Sequence, residues 1–144
     1  MKRDKHLRDL SSEHHQALVL VRKIENACKA NEIDARLINE VRAVFQTELA
    51  LHFQIEEEAI LPALEALGEM DLVDKTLDDH RRLRELNAQL DEPGALRTFS
   101  QALKEHVQFE ERILFEICQK LLDGPALAAV AAHAKSITQP PTLH

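Results

Sequence analysis

The stretch His52, Phe53, Gln54, Ile55, Glu56 recurs as His106, Val107, Gln108, Phe109, Glu110. In a helix, residues four apart stand on the same face. Each stretch therefore aims an imidazole and a carboxylate at one point, and two such pairs are raw material for a two-metal site. The repeat extends further in both directions. Leu49, His52, Gln54, Glu56 and Glu57 match Leu103, His106, Gln108, Glu110 and Glu111, and apolar Ile60 and Leu61 match Leu114 and Phe115. A pseudo-two-fold arrangement follows, in which each half supplies one His helix and one His-Glu helix.

The elements that must position these groups are helical. The chain has 144 residues, enough for one domain, with 44% apolar and 30% charged residues and only three glycines. Ala, Leu, Glu, Lys and Arg dominate, all helix formers, and no segment alternates apolar and polar residues with period two. The breakers delimit helices over residues 12–30, 35–67, 71–90 and 95–122, and a short fifth over 126–136. Ser11 or Ser12 and Asp34 are the expected N-caps, Gly68 the residue that closes the second helix, and Pro93 the first residue of the fourth. Pro62 is expected to kink the second helix or end its regular part. Asp123, Gly124 and Pro125 end the fourth. The expected fold is all-α: a single domain over residues 1–137, an up-down-up-down four-helix bundle with a short C-terminal fifth helix, and a disordered tail over 138–144.

Hairpin geometry tests whether the histidines meet. Residues at equal height in an antiparallel helix pair are equidistant from the turn. His14 and His52 are centred on residue 33, Glu56 and His80 on Gly68, and His80 and His106 on Pro93. All three centres fall in expected turns, so His14, His52, Glu56, His80, His106 and Glu110 should form one layer. Helical phase agrees. His14 lies in line with Ala17, Val21 and Ile24, and His80 with Leu77, Leu83 and Leu90. His15 has Arg22 and Glu25 on its line instead and faces solvent.

Four imidazoles and two carboxylates buried together are costly unless something pairs them. A dinuclear metal stabilises all six at once. Imidazole and carboxylate suit iron, with manganese or zinc as alternatives. Each metal takes two histidines, Glu56 and Glu110 bridge, and an oxo or hydroxo group or solvent completes the coordination. Positions stay open for O2, NO or peroxide, unlike closed structural zinc sites. Glu57 and Glu111 read either as a solvated face or as groups supporting the site, including alternative ligands. Glu13 and Asp79 read either as surface and capping residues or as hydrogen-bond partners of the imidazoles. Glu58 faces solvent, His133 packs in the fifth helix, and His6 and His144 are exposed. The five phenylalanines read as core.

Composition narrows the function classes. A net charge of -7 disfavours nucleic acid and anionic membranes as partners. No apolar run approaches the roughly 20 residues of a membrane span, and the charged residues 1–6 lead into no apolar signal core, so cytoplasm is the expected compartment. Cys28 and Cys118 are far apart and read as buried, reduced thiols. Trp and Tyr are absent, which excludes a tyrosyl radical and leaves the protein nearly transparent at 280 nm.

The set His14, His52-x-x-x-Glu56, His80 and His106-x-x-x-Glu110, spread over residues 10–122, resembles the hemerythrin-like HHE cation-binding domain. That resemblance implies a non-haem di-iron site in a four-helix bundle. It implies binding or sensing of O2 or NO or, alternatively, a di-iron enzyme (peroxidase or NO reductase), or an iron donor in iron–sulfur cluster repair. A redox partner is possible on the same grounds. Thr76 stands where oxygen-carrying members have a further histidine, and Glu111 at the offset of their aspartate. The pattern is closer to the symmetric site, four histidines and two glutamates, of the cluster-repair proteins, although their usual N-terminal domain is not seen here.

Overall fold

The computed structural model describes residues 2–138, which form five helices and, among the described residues, no strand. The first helix is Arg8–Ala30 and the third Met70–Ala88. The second runs over residues 35–66 with two π turns, Phe45–Leu49 and Glu56–Ile60. The fourth runs over residues 95–121 with one, Glu110–Leu114. The fifth is Gly124–Thr138. Thr138 is thus helical rather than the start of a tail, and the rest of the expected tail lies outside the described residues.

Local chemistry explains most boundaries. The Asp34 carboxylate accepts from the Leu37 N–H at 2.9 Å and caps the second helix as expected. Gly68, at φ 81°, closes that helix: its N–H reaches Glu65 O, and Glu69 N–H reaches Leu64 O. Asn31, at φ 55°, closes the first helix in the same way. Other expectations need correction. The first helix begins at Arg8, before both serines, and its N-cap is Leu7 without a side-chain bond; burial of Leu7 and Leu10 draws that turn into the core. Pro93 stays in the turn, and Gly94 at φ 76° is the N-cap of the fourth helix. Asp123 caps the fifth helix through the Ala126 N–H.

Pro62 neither ends nor interrupts the second helix. It sits in the first turn of Leu61–Ala66, directly after the π turn that begins at Glu56. The fourth helix makes the matching π turn at Glu110 with no proline nearby, so proline is not its cause. Each π turn inserts one residue, rotating the following residues by about 100°, and Ile60 and Leu61, like Leu114 and Phe115, are all buried.

The helices pack as a bundle. The first lies along the fourth, the fourth along the third, the third against the end of the second, and the fifth against residues 50–60 of the second. Two apolar clusters result. One gathers Val21, Ile24, Val41, Phe45, Phe53, Leu83, Phe99 and Leu103. The other gathers Leu7, Leu10, Ile60, Leu64, Leu114, Phe115, Leu127 and Val130. All five phenylalanines pack in or against these clusters. Leu77 departs from its expected line and is exposed, and Cys28 is only half-buried whereas Cys118 is buried; both thiols are free. Asp34→Ala should remove one cap and lower stability by about 1 kcal/mol, read as a reduced thermal midpoint with unchanged helicity; an unchanged midpoint would show that the cap contributes nothing.

Candidate metal centre

Between the two apolar clusters lies a polar layer. His14, His52, Glu56, His80, His106 and Glu110 are all buried, both carboxylates at 0% exposure. The six side chains form two groups whose donor atoms lie within 4.8 Å of one another: His14, His52, Glu56 and Glu110, and Glu56, His80, His106 and Glu110. The two carboxylates belong to both. His15 is exposed, as its flanking charges indicated.

Each imidazole is held from behind by a second carboxylate. His14 Nδ1 lies 2.7 Å from Glu111, His52 Nδ1 2.9 Å from Glu13, His80 Nδ1 2.6 Å from Glu57 and His106 Nδ1 2.9 Å from Asp79. An ionised carboxylate only accepts, so each Nδ1 carries the proton and donates. Every Nε2 then faces inward, the orientation a metal requires. The four pairs also obey the sequence repeat: Glu57 and Glu111 hold the histidines of the third and first helices, and Glu13 and Asp79 those of the second and fourth. Glu111 is therefore spent on His14 and joins neither inward group. Glu13 and Asp79 serve the histidine of a neighbouring helix rather than the one beside them in sequence, a crossing that sequence spacing could not show.

A further shell was missed by the sequence reading. Arg84 pairs with Glu57 at 2.9 Å and lies over Phe53; Lys75 pairs with Asp79 at 2.9 Å and lies over Phe109. Arg3 approaches Glu111 at 3.5 Å, lies over Phe115, and donates to the Glu111 backbone carbonyl within the π turn. Ser11 also donates to Glu111. The only available signal was helical offset, as in Lys75 and Asp79 four residues apart; the others come from distant helices. Phe53 stacks on His80 at 4.0 Å and Phe115 on His14 at 5.1 Å. His133 takes no part in the layer and instead meets Glu58 at 2.7 Å near the surface.

The inward atoms fit a metal. His14 Nε2 and His52 Nε2 stand 3.0 Å apart, and with both Nδ1 atoms protonated two lone pairs would face each other. His80 Nε2 lies 3.1 Å from Glu56 Oε1, and His106 Nε2 3.1 Å from Glu110 Oε2. Neither contact has hydrogen-bond alignment, so all four atoms are buried without a partner. Such atoms carry a full desolvation cost; a cation placed among them removes it.

Without a cation, protons take that place. Burial opposes charge on His80, but Glu110, Glu56 and Glu57 outweigh it and push its pKa up to about 10. Burial likewise opposes charge on His106, and Glu110 and Asp79 raise it to about 9. His52 is raised well above its usual range against burial by Glu56, Glu110 and Glu13, and His14 is raised by Glu110 and Glu111. Burial pushes Glu110 upward, yet the surrounding imidazoles, His106 foremost, hold it well below the usual carboxylate range.

A protein with this layer is a helical metal-binding domain with two adjoining His/Glu groups. Residues 5–118 match the family model described as hemerythrin HHE cation binding domain, and the chain belongs to that family. No curated protein and no solved structure matches the chain. No described helix is long and apolar enough to cross a membrane.

The shifts set a pH dependence. Raised imidazole pKa values stabilise the metal-free fold fully below 6.5, and that stability is lost as pH rises through about 9 and 10. The depressed Glu110 contributes stability above 4.5 that is lost as pH falls. Metal-free protein should therefore show its highest thermal midpoint between pH 4.5 and 6.5. Metal binding, which displaces protons, should strengthen with rising pH. A metal-free midpoint that climbs from pH 7 to 9 would contradict this assignment.

Proposed function

We propose that this protein binds or senses a small molecule, O2 or NO, at a non-haem di-iron site in an up-down-up-down four-helix bundle. The carrying observation is that Glu56 and Glu110 belong to both groups of converging donors, while His14 and His52 complete one and His80 and His106 the other. Two ions, one in each group, would be held by all six buried side chains with none left over.

The ligand set favours iron, with manganese or zinc as the alternatives. Bound iron would supply a redox-active metal that can take a diatomic ligand. The protein's own contribution is to fix the four imidazoles by their Nδ1–H donors, to hold Glu110 ionised through the surrounding imidazoles, and to exclude water by the apolar clusters on either side. Among the described residues, and beyond the six inward groups, the buried interior offers no acid or base free to move a proton to a substrate: Cys118 is pushed up to about 12 by burial, and the outer carboxylates are hydrogen-bonded to imidazoles. That economy supports binding over catalysis.

Iron-replete protein should contain about two metals per chain and, once reduced, change its visible spectrum on anaerobic titration with NO or O2. Absent tryptophan and tyrosine, the near-ultraviolet bands stand on a clear background. No spectral change would overturn the reading. Sustained turnover of peroxide or NO with an electron donor, lost in Glu56→Ala and Glu110→Ala, would replace it with an enzyme.

A further inference from the structure

The buried layer is almost shut off from solvent: the four histidines are at most 4% exposed and the two carboxylates 0%. Any ligand must enter where a side chain yields. The four outer carboxylates are not equally restrained. Asp79, Glu57 and Glu111 are 21%, 24% and 31% exposed, and each is tied by a cation that also lies over an aromatic ring. Glu13 is 44% exposed and, among the described residues, has no ion pair except with the His52 ring.

At that weak point the surface is hollow. A cleft of about 370 Å³ between the first and second helices has Glu13 and His52 in its lining and apolar walls from Leu20, Val44, Leu49 and Leu51. A larger surface hollow of about 640 Å³, between the first and fourth helices, touches none of the six inward residues. The cleft also coincides with a break in the internal repeat. The second helix carries an extra π turn, Phe45–Leu49, that the fourth lacks, and Leu49 from that turn lines the cleft.

We infer that this cleft is the entry route to the metal centre, with Glu13 as its gate, and that it admits small neutral apolar molecules. The walls are apolar. At the rim, Lys23 is neutralised by Glu40 at 2.7 Å, which leaves the negative charge of Glu13 and Glu48 facing an incoming solute. An anion meets repulsion there; a neutral diatomic does not. Opening begins with Glu13 swinging off His52 Nδ1, which leaves the His52 ring as the barrier between the cleft and the inward Nε2 atoms. This inference rests on the functional reading above for the identity of the ligand, but not for the route.

The first test uses metal-free protein. Xenon is a neutral apolar probe that occupies dry apolar cavities. Under xenon pressure, the methyl resonances of Leu20, Val44, Leu49 and Leu51 should shift, and those around the larger hollow should not. Val44→Trp should abolish the shifts; Thr47→Trp, at the exposed rim, does the same job if the first variant fails to fold. The second test uses reduced, iron-loaded protein and NO. A filled route slows association and dissociation by the same factor, about tenfold, and leaves Kd unchanged. Gln101→Trp, in the larger hollow, should alter neither rate.

Absence of xenon shifts at the cleft methyls overturns the route. So does NO binding at unchanged rates in both cleft variants, which would leave the functional reading intact. If the unsubstituted protein binds no NO while xenon fills the cleft, the functional reading fails and the cavity assignment stands.

Discussion

The structure depends on one constraint: six polar groups share a buried layer between two apolar clusters. Desolvation of imidazoles and carboxylates is expensive, and their mutual attraction offsets it only when every lone pair and proton has a partner. Protons meet that requirement in part, as the raised imidazole and depressed Glu110 pKa values record. The misaligned contacts at Glu56, His80, His106 and Glu110 show what protons leave undone. A cation among these atoms would satisfy what protons leave unpaired, and metal, stability and pH are linked through the same donor atoms.

The outer carboxylates convert that layer from a cluster into a preorganised site. Each removes one ring nitrogen from competition by accepting its proton, and so fixes both the tautomer and the ring plane. Stacking of Phe53 on His80 and Phe115 on His14 restrains the same rings from the side. Three of the four carboxylates are in turn tied by a cation. Rigidity is thus graded outward from the centre, and the grading is uneven. Binding of a ligand to a closed site needs one yielding contact, and the spoke through Glu13 is the least restrained.

The internal repeat organises the site but not its surroundings. Both halves place a carboxylate at the start of a π turn, at Glu56 and at Glu110, and both cross-brace their histidines in the same pattern. Departures lie outside the layer: the additional π turn in the second helix, the two stacked phenylalanines drawn from non-equivalent positions, and the fifth helix packed against residues 50–60 of the second. A symmetric pair of donor groups therefore sits in an asymmetric wall, and the wall decides from which side the pair is reached.

The sequence alone determined the helical class, the turns and the six inward residues. Those follow from local rules: the offset of four on one helix face, the left-handed preference of Gly68, and equal chain lengths on either side of each turn. Helix edges erred where burial overrode local signals, as at Leu7 and Leu10, and Leu77 matched the periodicity of a core residue while facing solvent. Only the tertiary structure decided which outer carboxylate serves which imidazole, which cations tie them, and where the protein is hollow. Those contacts join residues far apart in sequence, Arg3 to Glu111 or Arg84 to Glu57, and are set by the axial rotation of each helix against its neighbours. Spacing within one helix carries no record of that rotation.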